Sequence, residues 1–552
     1  MTRTTLQLLA GVAFAAIAIG GCAGNRVHVH EEKLGVWTDL VTQPVSDLHG
    51  RHVAAVVRGR QGVAALVDGQ IGPEYDNIWG VKWNTDGTHM AYLASRGGRQ
   101  VAVIDGREGP WCDSFRGEPR FSDDGSRVIC VARAGGRWFV AVDGRAEQPY
   151  DDIRTVPEYE MSNPQPTTGG KHVGYVAMKG GKQVAVIDGW EGPAYDSIDR
   201  GGVSFSADGS RWGYQGMRGG KEIVVADGKQ LAEYDGGHVE TPVSFSPDGK
   251  RMAYIAWTGN KAFVVVDGQE GPRYDHATWA AVFSPDGKHV AYTAATGQKW
   301  HAVIDGVEGP TYDMVMIADM ITFDADDKHV TYIARRGDKQ MLVVDGHEGS
   351  EYDQVGTLTI SLDRRHVAGV ATKGDKARVI VDGQEGPWYG RVQMCTFSPD
   401  PARVACVVFE GNRQAVALDG QVGAFYDGVA NSPKFSPDGK RLAYVVRNGK
   451  QQMAVVDGQK GRRYDMIGWP VFSSDSKHVA YAAMRGGAAS KQAGGGHVIP
   501  KPARWLVVMD GRETREYDMI VEGSPSFRPD GTLEFLAARG KALYRVTVPP
   551  HS

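Results

Sequence analysis

The chain has 552 residues, of which 41% are hydrophobic and 23% are charged, and its formal net charge at pH 7 is −4. These values describe a soluble globular protein that is long enough for two ordinary domains. Glycine stands out with 73 residues, which indicates many tight turns, and the regular Val, Ala and Tyr runs between the glycines exclude a disordered chain.

The N-terminus has the pattern of a secretory signal. One basic residue, Arg3, precedes an apolar run from Leu6 to Ile19 that is too short to span a bilayer. The run ends in IGGC (19–22), which resembles the lipobox of bacterial lipoproteins. The resemblance implies a signal peptide over residues 1–21, acylation of Cys22 and a tether over residues 22–34. Several acyl chains on one residue anchor a protein stably.

The same resemblance implies a cellular address. Ala23 follows Cys22, and by analogy with the family a residue other than Asp at that position favours the outer membrane, on the periplasmic side. We expect no nucleic-acid partner there. The alternative is an ordinary signal peptide in which the cysteine is incidental.

Four further cysteines, Cys112, Cys130, Cys395 and Cys406, would lie in an oxidising compartment, and their spacing fits no zinc pattern. Around the turn FSPDPARV, Phe397 would lie opposite Val404, which places Cys395 opposite Cys406 on paired strands. A disulfide can form there, and two buried free thiols are the simpler interpretation.

A repeat of about 40 residues begins after the signal and continues to the C-terminus. Each unit carries an Asp-Gly pair followed by Tyr-Asp, as in Asp68-Gly69 and Tyr75-Asp76. Two units are longer, with inserts near residues 159–171 and 486–502. A period of this length is typical of repeat architectures.

Each unit predicts four short strands separated by Asp-Gly and Pro turns such as SPDGK and DGVEGP. The second and third strands, for example AFVVVD (262–267), are apolar on both faces. Such strands belong to a sheet packed between two others, and four-stranded sheets packed in this way around an axis form an all-β propeller.

The stretch FSPDGKRLAYVV (435–446) resembles the TolB-like, WD40-type propeller repeat, although the Trp-Asp and Gly-His pairs of true WD40 blades are missing. The resemblance covers residues 35–548 and implies a β-propeller. Because propellers of this kind have many functions, it implies little about activity.

The repeats predict about thirteen blades. Twelve units are complete, and a thirteenth at Phe527–Val548 lacks its last strand. GVWTDL (35–40) matches PEYDNI (73–78) but has no preceding strands, so we predict that Trp37–Leu40 completes the last sheet. Ordinary rings have roughly four to eight blades. We therefore predict tandem propellers of seven and six blades over residues 35–317 and 318–552, with an alternative boundary near 278.

No catalytic or metal-binding motif is present, and we predict neither a cofactor nor a metal. Seven histidines share one repeat position with five arginines: His52, His89, His172, His289, His329, His366 and His478. Equivalent positions in neighbouring blades are about 10 Å apart, too far for shared metal ligation. We therefore interpret these histidines as structural.

The loops between the second and third strands are basic in nearly every blade and share one face of a propeller with several tryptophans. The candidate binding face consists of Arg96, Arg99, Arg133, Arg137, Lys179, Lys182, Arg218, Lys221, Trp79, Trp279 and Trp469. Like charges on one rim attract anionic partners. The alternative is that these loops are solubilising turns that protect the many strands from aggregation.

The sequence thus predicts a lipid-anchored envelope lipoprotein that serves as a non-catalytic binding platform for an envelope protein or an anionic glycan. The oligomeric state stays open. The rival interpretation is a propeller enzyme, a lyase or glycan hydrolase, with its site in the funnel of one ring.

Overall fold

A computed structural model describes residues 27–550 of the chain apart from a set of short gaps. The gaps are residues 37–40, 43–44, 48–51, 123, 155–164, 167–170, 200, 237, 240–242, 278–280, 316–321, 324–328, 357, 362–365, 400–402, 487–489, 492–496, 499–502 and 522–524. Throughout the described residues every regular element is a β-strand. No helix that could cross a bilayer occurs among them.

The strands form thirteen antiparallel sheets, called blades 1 to 13 in chain order, each with strand positions A to D from the ring axis outward. The B strands are Val53–Arg58, Met90–Arg96, Val128–Ala134, Val173–Lys179, Trp212–Arg218, Met252–Thr258, Val290–Thr296, Val330–Arg336, Val367–Lys373, Val404–Glu410, Leu442–Asn448, Val479–Arg485 and Leu533–Arg539. The C strands are Val63–Val67, Arg99–Ile104, Arg137–Val142, Lys182–Ile187, Lys221–Ala226, Lys261–Val266, Lys299–Ile304, Lys339–Val344, Lys376–Val381, Arg413–Leu418, Gln451–Val456, Arg504–Met509 and Ala542–Val548.

The outer and inner strands are shorter and less regular. The D strands are Gln70–Tyr75, Arg107–Glu108, Arg145–Ala146, Trp190–Tyr195, Lys229–Asp235, Gln269–Glu270, Val307–Glu308, His347–Glu348, Gln384–Tyr389, Gln421–Val422, Gln459–Tyr464, Arg512–Glu513 and, for blade 13, His30–Val36. Strand A is a single segment in blades 1, 2, 3 and 10: Val45–Ser46, Asn77–Trp83, Ser114–Phe121 and Arg391–Phe397.

In the other blades strand A is split into two short segments that both pair with strand B. These are Asp152–Ile153 and Gln165–Pro166, Ser197–Ile198 and Ser204–Phe205, His238–Val239 and Ser244–Phe245, His276–Ala277 and Val282–Phe283, Met314–Val315 and Thr322–Phe323, Gln354–Val355 and Thr359–Ile360, Gly428–Val429 and Lys434–Phe435, Met466–Ile467 and Val471–Phe472, and Met519–Ile520 and Ser526–Phe527. A small hairpin, Ser490–Lys491 with His497–Val498, lies in the insert of blade 12.

The Asp-Gly pair forms the turn between strands C and D in twelve blades. Its aspartate has a positive φ, between 46° and 52°, and the following glycine is also left-handed, for example φ 84° at Gly69. This is the two-residue hairpin turn that matches the twist of paired strands, and it favours Asp-Gly because both residues need positive φ. The predicted role of this pair is therefore confirmed.

Both faces of each central sheet are covered by the neighbouring blades. In blade 7, Tyr292 and Val303 pack in one cluster with blade 6, whereas Ala291 and Ala302 lie in another cluster with blade 8. Equivalent clusters join every other pair of consecutive blades. The apolar residues on both faces of strands B and C therefore form the core.

The last blade packs on the first. Leu536 and Leu543 of blade 13 share a buried cluster with Val53 of blade 1. The thirteen blades thus form one closed ring. The predicted all-β propeller of thirteen four-stranded blades is confirmed, but its division into rings of seven and six is wrong. The proposed boundary positions, 317 and 278, lie outside the described residues, and the sheets on either side of each pack without a break.

The N-terminal strand closes the ring. His30–Val36, called the closing strand below, pairs antiparallel with strand C of blade 13, from His30 opposite Thr547 to Val36 opposite Ala542. The N-terminal segment was predicted to complete this sheet, and it does. The strand begins earlier than expected, so residues 30–34, assigned to the tether, belong to the sheet, whereas Trp37–Leu40 lie outside the described residues.

Two glutamates hold the closing strand electrostatically. Glu31 accepts a hydrogen bond of 2.8 Å from the Tyr517 hydroxyl of blade 12 and pairs with Arg539 at 2.9 Å and Arg515 at 3.3 Å. Its side chain is only 14% exposed. Glu32 pairs with Arg545 at 3.1 Å but is 51% exposed. The contact of Glu31 therefore matters more for closure.

Replacing Glu31 by Ala should leave two guanidinium groups and a buried hydroxyl without their carboxylate. We expect a loss of about 3 kcal/mol in the free energy of unfolding, measured by urea denaturation, because removing one partner of a largely buried pair is costly. Glu32→Ala, at the exposed neighbour, should cost less than about 1 kcal/mol. Equal effects of the two substitutions would contradict this account of closure.

Candidate functional site

The candidate site is the face of the ring that carries the B–C loops, called the hairpin face below. Arg96 and Arg99 pair across the loop of blade 2, Arg133 and Arg137 flank that of blade 3, and corresponding pairs flank those of blades 4 and 5. The structure thus places all eight predicted basic residues on one face of four consecutive blades, and all except the half-buried Lys221 are exposed.

Most of these basic side chains have partners. Lys179 pairs with Glu191 at 2.7 Å, Lys221 with Glu233 at 2.6 Å, Arg137 with Asp151 at 3.5 Å and Arg96 with Glu108 at 3.7 Å, and Lys182 pairs with Asp196. The glutamate of the repeat therefore reaches the basic side chains of the hairpin face and offsets part of their charge. Arg99 donates to the carbonyl oxygen of Trp111 at 2.8 Å.

Two of the predicted binding residues help to join blades. The Arg96 guanidinium lies 4.6 Å from the ring of Tyr75 in the preceding blade, and that of Arg218 lies 5.6 Å from the ring of Tyr195. Arg336 and Arg485 make the same contact elsewhere in the ring. A guanidinium over an aromatic face is attractive. Arg96 and Arg218 thus have a structural role that the sequence did not reveal.

The Tyr-Asp pair of each repeat bridges two blades. The aspartate accepts a backbone N–H from the loop glycine of the next blade at ten junctions, at 2.6–2.9 Å, as from Gly297 to Asp275. Its other oxygen often binds a lysine of its own blade, as Lys261 does to Asp275 at 2.6 Å. The lysine and the amide together lower the pKa of Asp275. The aspartate of the pair therefore joins its own blade to the next.

The tyrosine of the pair is buried and reaches the next blade through its hydroxyl. Tyr75 donates to Glu108 at 2.8 Å and Tyr352 to Glu385 at 2.6 Å. Glu31 of the closing strand receives the same bond from Tyr517. The closing strand therefore supplies to blade 13 a glutamate like those that blades 2 and 9 carry in strand D, Glu108 and Glu385.

The opposite face, called the turn face, carries the histidine and arginine positions. In all twelve complete repeats the Asp-Gly aspartate accepts from this His or Arg with one oxygen and from a backbone N–H with the other, as with His89 and Met90 on Asp105. His289 stacks on Phe323 of the next blade, and Arg251 lies over Phe283. These contacts support the structural interpretation of the histidines.

The three predicted tryptophans differ in their settings. Trp469 is 54% exposed, and the Lys434 ammonium lies 5.8 Å from its ring. Trp79 is half-buried against the cluster between blades 2 and 3. Trp279 lies outside the described residues. Trp469 lies between the two segments of strand A of blade 12, Met466–Ile467 and Val471–Phe472, and therefore at the central opening of the ring and not on the hairpin face.

An aromatic group on the hairpin face was not predicted from the sequence. His238 stacks on Trp257 at 5.5 Å, Trp257 meets the edge of His276 at 5.9 Å, and His276 stacks on Trp300 at 6.3 Å. The two histidines are exposed and the two tryptophans half-buried. Comparing the repeats with one another would have found this row, because no other repeat has histidine at the position shared by His238 and His276.

The cysteines form two kinds of pair. A disulfide joins Cys395 and Cys406, so the simpler interpretation as free thiols was wrong there. Cys112 and Cys130 are free and buried in the cluster between blades 2 and 3. Burial raises the pKa of Cys112 to about 11 and that of Cys130 to about 12. Both thiols are therefore protonated and unreactive at neutral pH.

Within the described part of the chain, no three His, Cys, Asp or Glu side chains are grouped so that they could hold a metal ion. A depression of about 490 Å³ lies on the turn face of blade 3 and is lined by Arg127, Asp143 and Glu147. Its charged groups already have structural partners, since Arg127 binds Asp143 at 2.7 Å and Glu147 accepts from the Tyr175 hydroxyl at 2.7 Å. Cys22 lies outside the described residues.

No protein-family profile matches the chain, and no curated protein matches it. Solved structures that resemble it include a eukaryotic initiation factor (11% identity, 67% of this chain and 94% of that one, TM-score 0.32). Another is TolB from Acinetobacter baumannii, with 15% identity over 44% of this chain and 58% of that one and a TM-score of 0.21. A third is the Cps50 (Swd1) β-propeller domain of Myceliophteria thermophila, with 14% identity over 46% of this chain and 95% of that one and a TM-score of 0.22. With TM-scores this low, nothing about activity follows from them.

The lowered carboxylate pKa values predict acid sensitivity. The Lys250 ammonium holds the pKa of Asp248 at about 2, and the Ser473 hydroxyl does the same for Asp475. These values lie below the usual range, so the contribution of these groups to stability is complete above pH of about 4 and is lost as the pH falls towards about 2.

We therefore expect the free energy of unfolding to fall between these pH values, and the slope to be shallower in Asp248→Asn/Asp475→Asn. Circular dichroism with urea titration at each pH measures it. Asp375→Asn, on an exposed loop, is the control and should keep the wild-type slope. An unchanged slope in the double variant would mean that these turns do not control acid sensitivity.

Proposed function

We propose that the protein is a lipid-anchored lipoprotein of the cell envelope that binds a protein or anionic glycan partner without catalysis, through the hairpin face. The observation that carries this proposal is that the polar side chains of the repeat are engaged in contacts within and between the blades. The recurring Asp, Glu, Tyr, His and Arg side chains bind one another within and between blades: Asp105 binds His89 of its own blade, and Glu108 binds Tyr75 of the preceding blade. This arrangement suits a rigid platform.

Rigidity favours binding because little conformational entropy is lost when a partner docks. The residues that vary between repeats are the hairpin loops and the aromatic groups around Trp257 and Trp469. Basic loops beside exposed aromatic rings offer charge and apolar area together, the combination enriched in binding hot spots. The basic loops and the group around Trp257 lie on the hairpin face, and Trp469 lies at the adjoining central opening.

The anchor rests on the lipobox-like IGGC (19–22) after an apolar run. Val27 is bound to the ring, because its backbone N–H donates to the carbonyl oxygen of Glu513. Only residues 22–26 would then separate the acylated Cys22 from the ring. A tether this short would hold the ring close to the membrane.

The anchor is tested by fractionation. The native chain should sediment with membranes after a salt wash, and its N-terminal peptide should carry acyl chains on Cys22 by mass spectrometry. A chain whose residues 1–22 are replaced by a cleavable, non-lipidated signal peptide should move to the soluble fraction. An unmodified Cys22 in the native protein would refute the anchor.

The binding face is tested by neutralising four basic side chains that do not contact the tyrosines between blades. A variant with Arg99, Arg133, Arg137 and Lys182 changed to Gln should keep its melting temperature within a few degrees, because exposed ion pairs contribute little. Its capture of partners from envelope extracts, with the captured material identified by mass spectrometry, should fall several-fold.

The matched control removes four charges from the turn face: Arg107, Arg145, Lys229 and Lys250, each changed to Gln. It should capture partners as the wild type does. Capture by the wild type should also weaken as the screening length shortens from about 10 Å to about 3 Å with added salt. If both variants capture equally well, the hairpin loops are only solubilising turns.

A further inference from the structure

The outer strand of blade 11 differs in charge from the corresponding strand of blade 6. Blade 6 reads DGQEGPRYD (267–275) and blade 11 reads DGQKGRRYD (457–465), so the two differ only where Lys460 replaces Glu270 and Arg462 replaces Pro272. In blade 6, Glu270 pairs with Arg273 at 2.8 Å. In blade 11 the corresponding Arg463 faces a lysine in place of that glutamate.

The basic residues of this strand are exposed at the circumference of the ring. Lys460, Arg462 and Arg463 are all exposed. The neighbouring outer strand of blade 12 adds Arg512, which is exposed, and Arg515, which is half-buried. We call these five residues the basic rim. It belongs to a basic sector, because residues 440–552 contain 18 Lys and Arg against 10 Asp and Glu in a chain of net charge −4.

The N-terminus reaches the ring at the same place. The backbone N–H of Val27 donates to the carbonyl oxygen of Glu513 at 3.1 Å. The carboxylate of Glu513 pairs with Arg462 at 3.0 Å. Cys22 is five residues upstream of Val27, and a fully extended chain covers at most about 18 Å over that distance. The site predicted to be acylated must therefore lie beside the basic rim.

We propose that the basic rim rests on anionic lipid headgroups, so that the ring stands on the outer edges of blades 11 and 12 with the hairpin face free. The orientation rests on the proposed acylation of Cys22, whereas the affinity of the rim for anionic lipid does not. What favours a lipid surface over a soluble anionic glycan is the position of the tether, which brings the rim to the membrane.

Charge and distance agree with this occupant. An anionic membrane surface attracts basic side chains within about one Debye length, roughly 8 Å at physiological salt, and each contributes about fivefold in affinity. A weak surface contact of this kind combines with an acyl anchor, which by itself does not fix orientation. The partner-binding hairpin face would then be presented to the periplasm.

The test uses residues 23–552 without acylation, which keep the closing strand, and vesicles of phosphatidylcholine with or without phosphatidylglycerol at about 0.1 M salt. We expect sedimentation with the anionic vesicles only, lost at high salt. The variant Lys460→Glu/Arg462→Pro gives blade 11 the outer strand of blade 6 and lowers the net charge by three, because it removes two positive charges and adds one negative charge. Its affinity should fall at least tenfold.

The reciprocal variant Glu270→Lys/Pro272→Arg is the matched control, because it moves the same charges to blade 6. It should leave binding to anionic vesicles within about twofold of the wild type. Thermal melts show whether each variant folds. If the blade 11 variant fails to fold, Lys460→Gln/Arg463→Gln replaces it, with the same loss expected.

Three outcomes would overturn the proposal. The first is that the protein does not bind anionic vesicles, and the second is that the wild type and the blade 11 variant bind them equally well. The third is that the protein does not bind vesicles but binds soluble dextran sulfate, and that the blade 11 variant weakens this binding. The last would make the rim a glycan surface. Because the chain used is not acylated, these outcomes are independent of whether Cys22 is modified, which mass spectrometry of the native protein decides separately.

Discussion

The structure depends on the Tyr-Asp pair that ends the outer strand of most blades and contacts the next one. The tyrosine is buried against the following sheet and in several blades donates to its glutamate, as Tyr75 does to Glu108. The aspartate accepts a loop amide of that sheet at ten junctions, as Asp76 does from Gly97. Each blade therefore finds its partners in the following blade. Since leaving a buried polar group unpaired costs about 1–3 kcal/mol, the series favours closing on itself.

The closing strand supplies the outer strand of blade 13. Blade 13 has no outer strand of its own sequence, and without one the hydroxyl of Tyr517 and the edge of Ala542–Val548 would be unpaired. Glu31 satisfies the hydroxyl, and the backbone of His30–Val36 pairs the edge. An unpaired edge invites aggregation. Joining the two ends of the chain in one sheet therefore protects the ring and also fixes where the N-terminal tether leaves it.

Much of the fold could be predicted because the same sequence pattern recurs along the chain. The Asp-Gly turns, the doubly apolar B and C strands and the N-terminal completion of the last sheet all follow from local sequence. The number of rings could not be predicted, because Ala291 and Ala302 at the junction of blades 7 and 8 are of the same type as the residues at every other junction. Ring size depends on small angles between sheets that accumulate over the whole circle.

The candidate site was harder to predict than the fold. Basic residues in the loops were identified, but Arg96 and Arg218 proved to contact tyrosines of the preceding blade, which periodicity alone cannot show. The predicted register placed Cys395 opposite Cys406, because a turn fixes which residues oppose each other, but it did not decide between the observed disulfide and two free thiols. Comparing the repeats with one another was more informative, since positions that depart from their equivalents, such as Lys460 and His276, are not required by the fold.

These observations make the protein one ring whose repeated polar groups join and close the blades, and we propose that the residues that depart from the repeat serve binding. Cryo-electron microscopy of residues 23–552 tests that claim most directly, by counting the blades in views along the axis. The account predicts thirteen blades around a single opening, with the closing strand next to strand C of blade 13. Two separate rings of seven and six blades, or a ring open between blades 13 and 1, would contradict it.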